Sequence, residues 1–135
     1  MDDETLIRHF YAELDRGNFA VFQELCTPDF LSHFPGVEQP HTREGREQVS
    51  RAFYKAFPDL RHAIEDLVAD AGLVAVRLSV AGTSQAPLNG LGPTGKEVRF
   101  SAMRFYRVID GRLAEEWVEY DNISLSRQLS GQPGP

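Results

Sequence analysis

The chain is poor in cysteine, in basic charge and in long apolar runs, and each shortage excludes a class of protein. Its single cysteine, Cys26, cannot form an intramolecular disulfide, which excludes a disulfide-stapled secreted scaffold. The net charge is −6 and the basic residues are interleaved with acids, so we expect no nucleic-acid partner. No apolar segment approaches the roughly 20 residues of a membrane span, so we expect no membrane partner either.

The spacing of the histidines does not indicate a metal site. The four histidines are His9, His33, His41 and His62. They show neither the i, i+4 pairing nor the neighbouring cysteines of zinc sites, so we expect no metal. The N-terminus, Met1 to Glu4, is acidic where a secretory signal would be basic, which predicts a cytoplasmic location.

Helical and strand-like patterns occupy different halves of the chain. Apolar residues at three- and four-residue spacing, such as Leu6, Phe10 and Leu14, predict three helices, which end near Gly17, Pro28 and Pro58. Asn18 and Thr42 are the predicted N-terminal caps of the second and the third. The strand-like segments are residues 61–70, 73–84, 97–109 and 112–122, separated by turns at Ala71-Gly72, residues 90–95 and Asp110-Gly111. Helices followed by strands predict an α+β fold, with three N-terminal helices packed on a curved antiparallel or mixed sheet. We expect one domain over residues 1–130 and a disordered tail at 131–135.

The last strand-like segment places acids beside the one tryptophan. Asp110-Gly111 is a two-residue hairpin signal, so the residues after it form a strand. Side chains alternate along a strand, and one face carries Glu115, Trp117, Glu119 and Asp121. Apolar surroundings raise the pKa of a carboxylate, which suits a general acid or base near neutral pH. The pattern therefore predicts the wall of an active site.

Several segments together resemble the SnoaL-like polyketide cyclase family, which has the cone-shaped nuclear transport factor 2-like fold. They are Phe57-Pro58-Asp59-Leu60, Val76-Arg77, Gly82-Thr83, Gly92-Pro93-Thr94-Gly95-Lys96, and Asp110-Gly111-Arg112-Leu113 continuing through Trp117 to Asp121. The resemblance covers roughly residues 5–130. It implies a cofactor-independent enzyme that performs an aldol-type cyclisation, or related lyase or isomerase chemistry, on a small hydrophobic or aromatic carbonyl compound. In this family an aspartate four positions after the strand tryptophan acts as acid and base, and here that residue is Asp121.

Other residues are predicted to assist Asp121 or to contact the substrate. His33 is expected at the mouth of the pocket, where an imidazole could relay a proton as a second catalytic group. The expected substrate contacts are Trp117, Phe53, Phe57, Met103, Phe105, Glu119 and His62. The facing of His62, Arg77 and Arg104 stays open, because a one-residue slip of register exchanges the two faces of a strand.

Two further function classes remain open from the sequence. One is a non-catalytic module for small-molecule binding or dimerisation, because open sheet faces in this fold pair as homodimers; a homodimer or higher homo-oligomer is expected in any case. The other is an enzyme of the epoxide hydrolase type, for which Arg77 or Arg104 with Asp121 could imitate an Asp-Arg-Asp arrangement. Ketosteroid isomerase chemistry is disfavoured, because its donor tyrosine falls at Phe10, which cannot donate a hydrogen bond.

Overall fold

The fold is a curved, unclosed sheet with helices against its inner face, and the computed structural model describes residues 1–131. Within them the helices are α1 (Asp3–Asp15), α2 (Val21–Leu25), α3 (Arg43–Ala56) and α4 (Asn122–Leu129). The strands are β1 (Cys26–His33), β2 (His41–Thr42), β3 (Arg61–Asp70), β4 (Leu73–Thr83), β5 (Glu97–Ile109) and β6 (Arg112–Tyr120). Their order across the sheet is β2-β1-β6-β5-β4-β3.

The sheet is mixed, as the α+β prediction allowed. Its neighbouring strands run antiparallel except β1 and β6, which are parallel. The predicted α+β class is confirmed, with α4 as an additional helix at the C-terminal end of the described chain. No helix within residues 1–131 is both long enough and apolar enough to cross a membrane. Of the predicted tail, residues 132–135 lie outside the described residues.

Helix α1 forms where the sequence pattern placed it. The side chain of Asp2 caps its N-terminus by accepting a hydrogen bond from the Thr5 amide at 2.8 Å. The chain leaves the helix at Gly17, whose positive φ of 83° suits a residue without a Cβ. The buried face of the helix consists of Leu6, Ile7, Phe10, Tyr11 and Leu14. This spacing is one stripe of a 3.6-residue helix, which packs α1 against β3.

The second predicted helix is shorter than its pattern suggested. Helix α2 begins at Val21 rather than after Asn18, and the chain is already extended at Cys26. Pro28 therefore lies inside β1, where the pairing with β6 shifts register, and a proline is tolerated at such an irregularity because it has no N–H to donate. Burial raises the pKa of the Cys26 thiol to about 12, so Cys26 is a packed, protonated thiol.

Helix α3 presents polar groups to the interior. Its predicted cap, Thr42, accepts a hydrogen bond from the Gly45 amide at 3.2 Å, and the helix ends at Ala56, close to the predicted stop at Pro58. Two of its buried residues, Arg46 and Ser50, stand four apart and so share one face. Buried polar side chains need partners, and the inner face of β6 supplies one.

The two predicted glycine turns connect the long strands. Asp110 and Gly111 both have positive φ, as do Ala71 and Gly72 in the turn between β3 and β4. Two left-handed residues in succession match the twist of a two-residue hairpin, which confirms the interpretation of Asp110-Gly111. These turns set the register of the three longest strands, β3, β4 and β5, and of β6 beside them.

The register of β5 and β6 decides which side chains point into the molecule. On β6 the inner face carries Glu116 and Val118, both almost fully buried, while Trp117 lies on the outer face. On β5 the inner face carries Tyr106 and the outer face carries Phe105, which is 41% exposed. The alternation predicted along β6 is confirmed, but the face that bears the tryptophan points away from the helices.

Candidate active site

A narrow cavity lies between α1, α3 and the inner face of the sheet. Its free volume is about 30 Å³, which is room for roughly two water molecules. Its apolar lining is Leu14, Phe34, Val49, Phe53, Leu60, Val80, Phe100 and Val118. Its polar lining is Arg46, Ser50, Tyr54, His62, Arg104 and Tyr120. Among the described residues that line it there is no aspartate or glutamate, although the whole chain is acidic.

His62 reaches the cavity from the start of β3 and is held there by Asp15, the last residue of α1. The His62 backbone amide donates to Asp15 Oδ2 at 2.8 Å, and its Nδ1 lies 2.8 Å from Asp15 Oδ1. Tyr54 of α3 also donates to Asp15 Oδ1, at 2.7 Å. Because an ionised carboxylate only accepts hydrogen bonds, Nδ1 carries the proton and Nε2 is the basic nitrogen of His62.

The protonation state of His62 follows from its burial. Its side chain is 5% exposed, and this burial lowers its pKa below the ordinary value of 6.5. The hydrogen bond that His62 donates to Asp15 opposes the lowering, whereas the charges of Arg104 and Arg46 reinforce it. The imidazole is therefore neutral near pH 7 and able to accept a proton from a ligand in the cavity.

Glu116 is a fully buried carboxylate with three hydrogen-bond donors. Its Oε1 accepts from Ser32 Oγ at 2.6 Å and from Arg46 Nε at 2.7 Å. Its Oε2 accepts from the Tyr106 hydroxyl at 2.6 Å. Burial alone would raise the pKa of Glu116, but the charges of Arg46 and Arg104 and these hydrogen bonds outweigh it and lower the pKa to about 2. Glu116 is thus an ionised anchor that ties α3 and β1 to β6.

A hydrogen-bonded chain of two tyrosines leads from Glu116 to Arg104. The hydroxyls of Tyr11 and Tyr106 are 2.5 Å apart, and burial raises the pKa of both, so both are neutral. Tyr106 donates to Glu116, so Tyr11 must donate to Tyr106. Arg104 Nη1 in turn donates to the Tyr11 hydroxyl at 3.3 Å. The chain holds the Arg104 guanidinium at the cavity wall.

Two of the residues predicted as substrate contacts line this cavity, and one lies beside it. His62 and Phe53 are part of the wall. Phe57 is fully buried in the hydrophobic core and is not part of the lining. Phe57 instead packs closely against β4 at Gly82. A Cβ added to Gly82 would lie only 2.8 Å from the Cβ of Phe57, so the contact depends on the glycine.

Most of the other predicted site residues lie on the outer face of the sheet. His33 stacks on Trp117 with ring centroids 5.4 Å apart, and its Nε2 lies 2.7 Å from Glu115 Oε2. The exposed neighbours on this face include Met103, Phe105 and Glu119. The roles expected of His33 and Trp117 stay predictions, but neither side chain lines the cavity. The reason is that the other face of β6, which carries Glu116, is the buried one. Arg46 neutralises the charge of Glu116 and so allows this burial.

Asp121 is exposed and caps α4. Its Oδ1 accepts a hydrogen bond from the Ser124 amide at 3.0 Å, and its own amide donates to the Ser101 carbonyl at 3.0 Å. It shares the outer face with Glu119, as the alternation predicted, and does not line the cavity. Asp121 takes this position because β6 ends at Tyr120 and the chain turns there into the helix, and the catalytic role expected of Asp121 stays a prediction.

The sequence did not single out Asp15, Arg46 or Glu116, and it left the facing of Arg104 open. One signal was available for Asp15, since an acid in the last turn of a helix opposes the helix dipole and so needs another partner. A second was the Arg46 and Ser50 pair at helical spacing on the face that meets the core. Neither signal names the distant partner, which depends on the fold.

For residues 1–131 the structure shows whether a metal site is present and which partners Arg77 and Arg104 have. No group of three or more histidine, cysteine, aspartate or glutamate side chains among them is placed to hold a metal ion. Arg77 faces outward and pairs with Asp66 at 2.7 Å. An Asp-Arg-Asp arrangement around Arg104 is not found in this part of the chain, where Tyr11 is its hydrogen-bond partner.

Comparison with known proteins shows that one family model matches almost the whole chain. The family model of the SnoaL-like polyketide cyclases matches residues 5–129. A search of curated proteins finds no match. The family match covers the helices of the cavity wall and all six strands.

Solved structures share the whole fold. IdmH of Streptomyces antibioticus, provisionally named a polyketide cyclase, is 31% identical, with a TM-score of 0.85 over 96% of this chain and 99% of its own. AclR of Streptomyces galilaeus, provisionally named a hydroxylase, is 24% identical, with a TM-score of 0.87 over 96% of each chain. A SnoaL-like protein of Jannaschia sp. CCS1 is 22% identical, with a TM-score of 0.87 over 96% of this chain and 92% of its own. The cone-type fold expected from the sequence is therefore confirmed.

Proposed function

The chain belongs to the SnoaL-like polyketide cyclase family, and from that premise we propose that it is a cofactor-independent acid–base enzyme acting on a hydrophobic, polyketide-like carbonyl compound. The reaction is an aldol-type cyclisation or a related isomerase or lyase reaction. The observation that carries the proposal is the neutral His62 imidazole, held by Asp15 in an otherwise mostly apolar cavity. The similarity to IdmH supports the same reaction class.

His62 is the proposed general base. Its Nε2 removes a proton from a carbon next to a carbonyl, and the resulting enolate attacks a second carbonyl of the same molecule. One carbon–carbon bond forms, and the new alkoxide takes the proton back from the imidazolium, so that no atom is gained or lost. Asp15 stabilises the imidazolium during the reaction and keeps Nε2 directed away from itself.

Arg104 is the proposed stabiliser of the negative oxygen. A guanidinium fixed beforehand in a water-poor site stabilises an enolate or alkoxide more than a solvated cation does. The Tyr11 and Tyr106 hydroxyls connect Arg104 to the Glu116 carboxylate and so hold the guanidinium in place. The free volume of about 30 Å³ is smaller than a typical ligand pocket, so wall side chains such as Phe34 and Phe53 move aside when a substrate enters.

The test is proton exchange on a model ketone. Wild-type protein is incubated with 2-tetralone in deuterated buffer, and loss of the α-proton signal is followed by nuclear magnetic resonance. We expect exchange faster than in buffer, and a loss on the order of 10²- to 10⁴-fold in His62→Gln. His33→Gln is the matched control, because this histidine lies on the outer face, and it should keep the wild-type rate. Full exchange activity in His62→Gln would refute the assignment.

The sequence-based assignment of Asp121 and His33 as catalytic groups stays a prediction that the variants here also test. The epoxide hydrolase alternative is disfavoured, since Arg104 contacts a tyrosine rather than carboxylates within residues 1–131. A non-catalytic binding module remains the second candidate, and the narrow cavity favours it over a large-substrate enzyme. Ligand binding without any proton exchange would decide for that candidate.

Homodimerisation through the outer face of the sheet is part of the proposal. Val68, Phe105 and Trp117 fall in one row across the strands and are wholly or partly exposed. Charges of both signs flank this row, with Asp66 paired to Arg77 on one side. An apolar centre with a mixed-charge rim suits pairing with a second copy around a twofold axis. The cytoplasmic location stays a prediction from the acidic N-terminus.

A further inference from the structure

Arg104 places a positive charge at the cavity wall without a carboxylate in contact. Its Nη1 donates to Tyr11, and its Nε is buried with no hydrogen-bond partner. Within residues 1–131 its guanidinium takes part in no ion pair, whereas nine other arginine side chains do. A buried guanidinium with unused N–H groups is unfavourable unless an acceptor is supplied.

Arg46, the second arginine of the cavity, has the hydrogen-bond partners expected of a buried arginine with a structural role. Arg46 donates from Nε to Glu116 at 2.7 Å and from Nη1 to Ser50 at 2.6 Å. Its charge is neutralised by direct contact, and its role in joining α3 to β6 accounts for its burial. Arg104 differs because, within residues 1–131, its side chain donates a hydrogen bond to a neutral hydroxyl rather than to a carboxylate.

The charged side chains that line the cavity are both positive, and the carboxylates nearest to them lie behind the wall. Arg46 and Arg104 together face the single buried carboxylate of Glu116, which Arg104 reaches only through the two tyrosines. The neutral His62 adds no compensating negative charge, and Asp15 lies behind it. In a chain with a net charge of −6, a cavity whose described lining has two arginines and no acid favours an anionic group over a cationic one.

We infer that the ligand of this cavity carries a carboxylate, which Arg104 binds through its free N–H groups, on an apolar or aromatic body. The planar guanidinium matches a carboxylate with two parallel hydrogen bonds. Phe53, Phe100 and the other apolar lining side chains accept the rest of the molecule. The inference rests on the proposed function in placing the ligand in the same cavity, but it does not require His62 to be catalytic.

The test compares two probes of the same shape. Isothermal titration calorimetry near neutral pH measures the dissociation constants of 2-naphthoate and of the neutral 2-naphthamide for the full chain. We expect 2-naphthoate to bind at least about tenfold more tightly, because a hydrogen bond to a charged group is stronger than one between neutral groups. Arg104→Met should bring the two constants to within about twofold of each other.

The matched control is Arg99→Met. Arg99 lies on the same strand as Arg104 but faces outward with a side chain 72% exposed, so the preference for naphthoate should persist. Equal affinities for the two probes in wild-type protein, no binding of naphthoate, or an equal loss in Arg99→Met would each overturn the inference. The wild-type comparison decides even if Arg104→Met fails to fold.

One more variant separates this inference from the proposed function. His62→Gln should lose proton exchange on 2-tetralone and keep the preference for 2-naphthoate. A wild-type protein that exchanges protons but does not prefer naphthoate would retain the acid–base function and refute the carboxylate site. The reverse result would establish the carboxylate site and refute the catalytic role of His62.

Discussion

Asp15 accepts two hydrogen bonds from His62, one from the backbone amide and one from Nδ1, both at 2.8 Å. The carboxylate stands at the end of α1 and the histidine at the start of β3, 47 residues later. A side chain held at both its backbone and its ring has little rotational freedom. His62 is therefore prearranged as a base before any substrate binds.

The first prediction concerns the pH dependence that this pair imposes. Activity should rise with pH as His62 loses its proton, and because burial lowers its pKa, the rise should lie below pH 6.5. In Asp15→Asn the supporting hydrogen bond to the charged imidazole weakens, so the rise should move to still lower pH while the maximal rate falls. Rates of 2-tetralone exchange between pH 4 and 9 measure both effects.

Glu47→Gln is the control for that experiment. Glu47 lies on α3 and pairs with Arg51 at the surface, so its neutralisation should leave the pH profile in place. A profile that does not move in Asp15→Asn would show that Asp15 does not act through His62.

The second prediction concerns the stability contributed by Glu116. Glu116→Gln leaves the buried Arg46 charge uncompensated, so it should lower the free energy of unfolding by about 3–5 kcal/mol at pH 7. The folded-state pKa is lowered to about 2, so the contribution is complete above the ordinary pKa of 4.5. It is lost as the pH falls from there through 2. Urea unfolding of the wild type and of Glu116→Gln at pH 7 and pH 3 measures the difference in their free energies of unfolding, which should be smaller at pH 3.

Glu119→Gln provides the comparison on the same strand. Glu119 is exposed on the outer face, so its neutralisation should change the free energy of unfolding by no more than about 0.5 kcal/mol. Equal losses in the two variants would contradict the special role of the buried Arg46–Glu116 pair.

The third prediction separates capping from catalysis at Asp121. Asparagine also caps helices, so Asp121→Asn should keep both stability and proton exchange, whereas Asp121→Ala should cost about 0.5–2 kcal/mol through loss of the bond to Ser124. Thermal or urea unfolding measures the first effect, and the 2-tetralone assay the second. Loss of exchange in a stable Asp121→Asn protein would instead favour the acid–base role expected from the family resemblance.

The fourth prediction concerns the outer face of the sheet. The ring centroids of Phe105 and Trp117 are 6.1 Å apart at the centre of the proposed dimer contact. Phe105→Glu places a charge there, so it should convert a dimer into monomers. Sedimentation equilibrium measures the mass, and Trp117 fluorescence should shift as its surroundings become wetter. Val37→Glu is the control, because Val37 is equally apolar and 46% exposed but lies in the loop after β1. A wild-type monomer would refute the proposed interface.

Local patterns were sufficient for the elements of the fold. The helix stripe from Leu6 to Leu14, the cap at Thr42 and the hairpin at Asp110-Gly111 each depend on residues close together in the chain, and each appears as predicted. Helix α2 was the exception: its apolar spacing also fits the start of a buried strand. Tertiary pairing of β1 with β6 decided between the two.

The sequence by itself determined the α+β class, the bounds of the four strands β3 to β6 to within two residues and the two groups of alternating side chains on β6. Only the tertiary structure decided which group is buried, since that choice depends on Arg46 meeting Glu116 across 70 residues of chain. Only the tertiary structure placed Asp15 beside His62, and only it left Arg104 without a carboxylate partner within residues 1–131. Periodicity reports neighbours along an element, whereas a charge is paired or left unpaired by elements that only folding brings together.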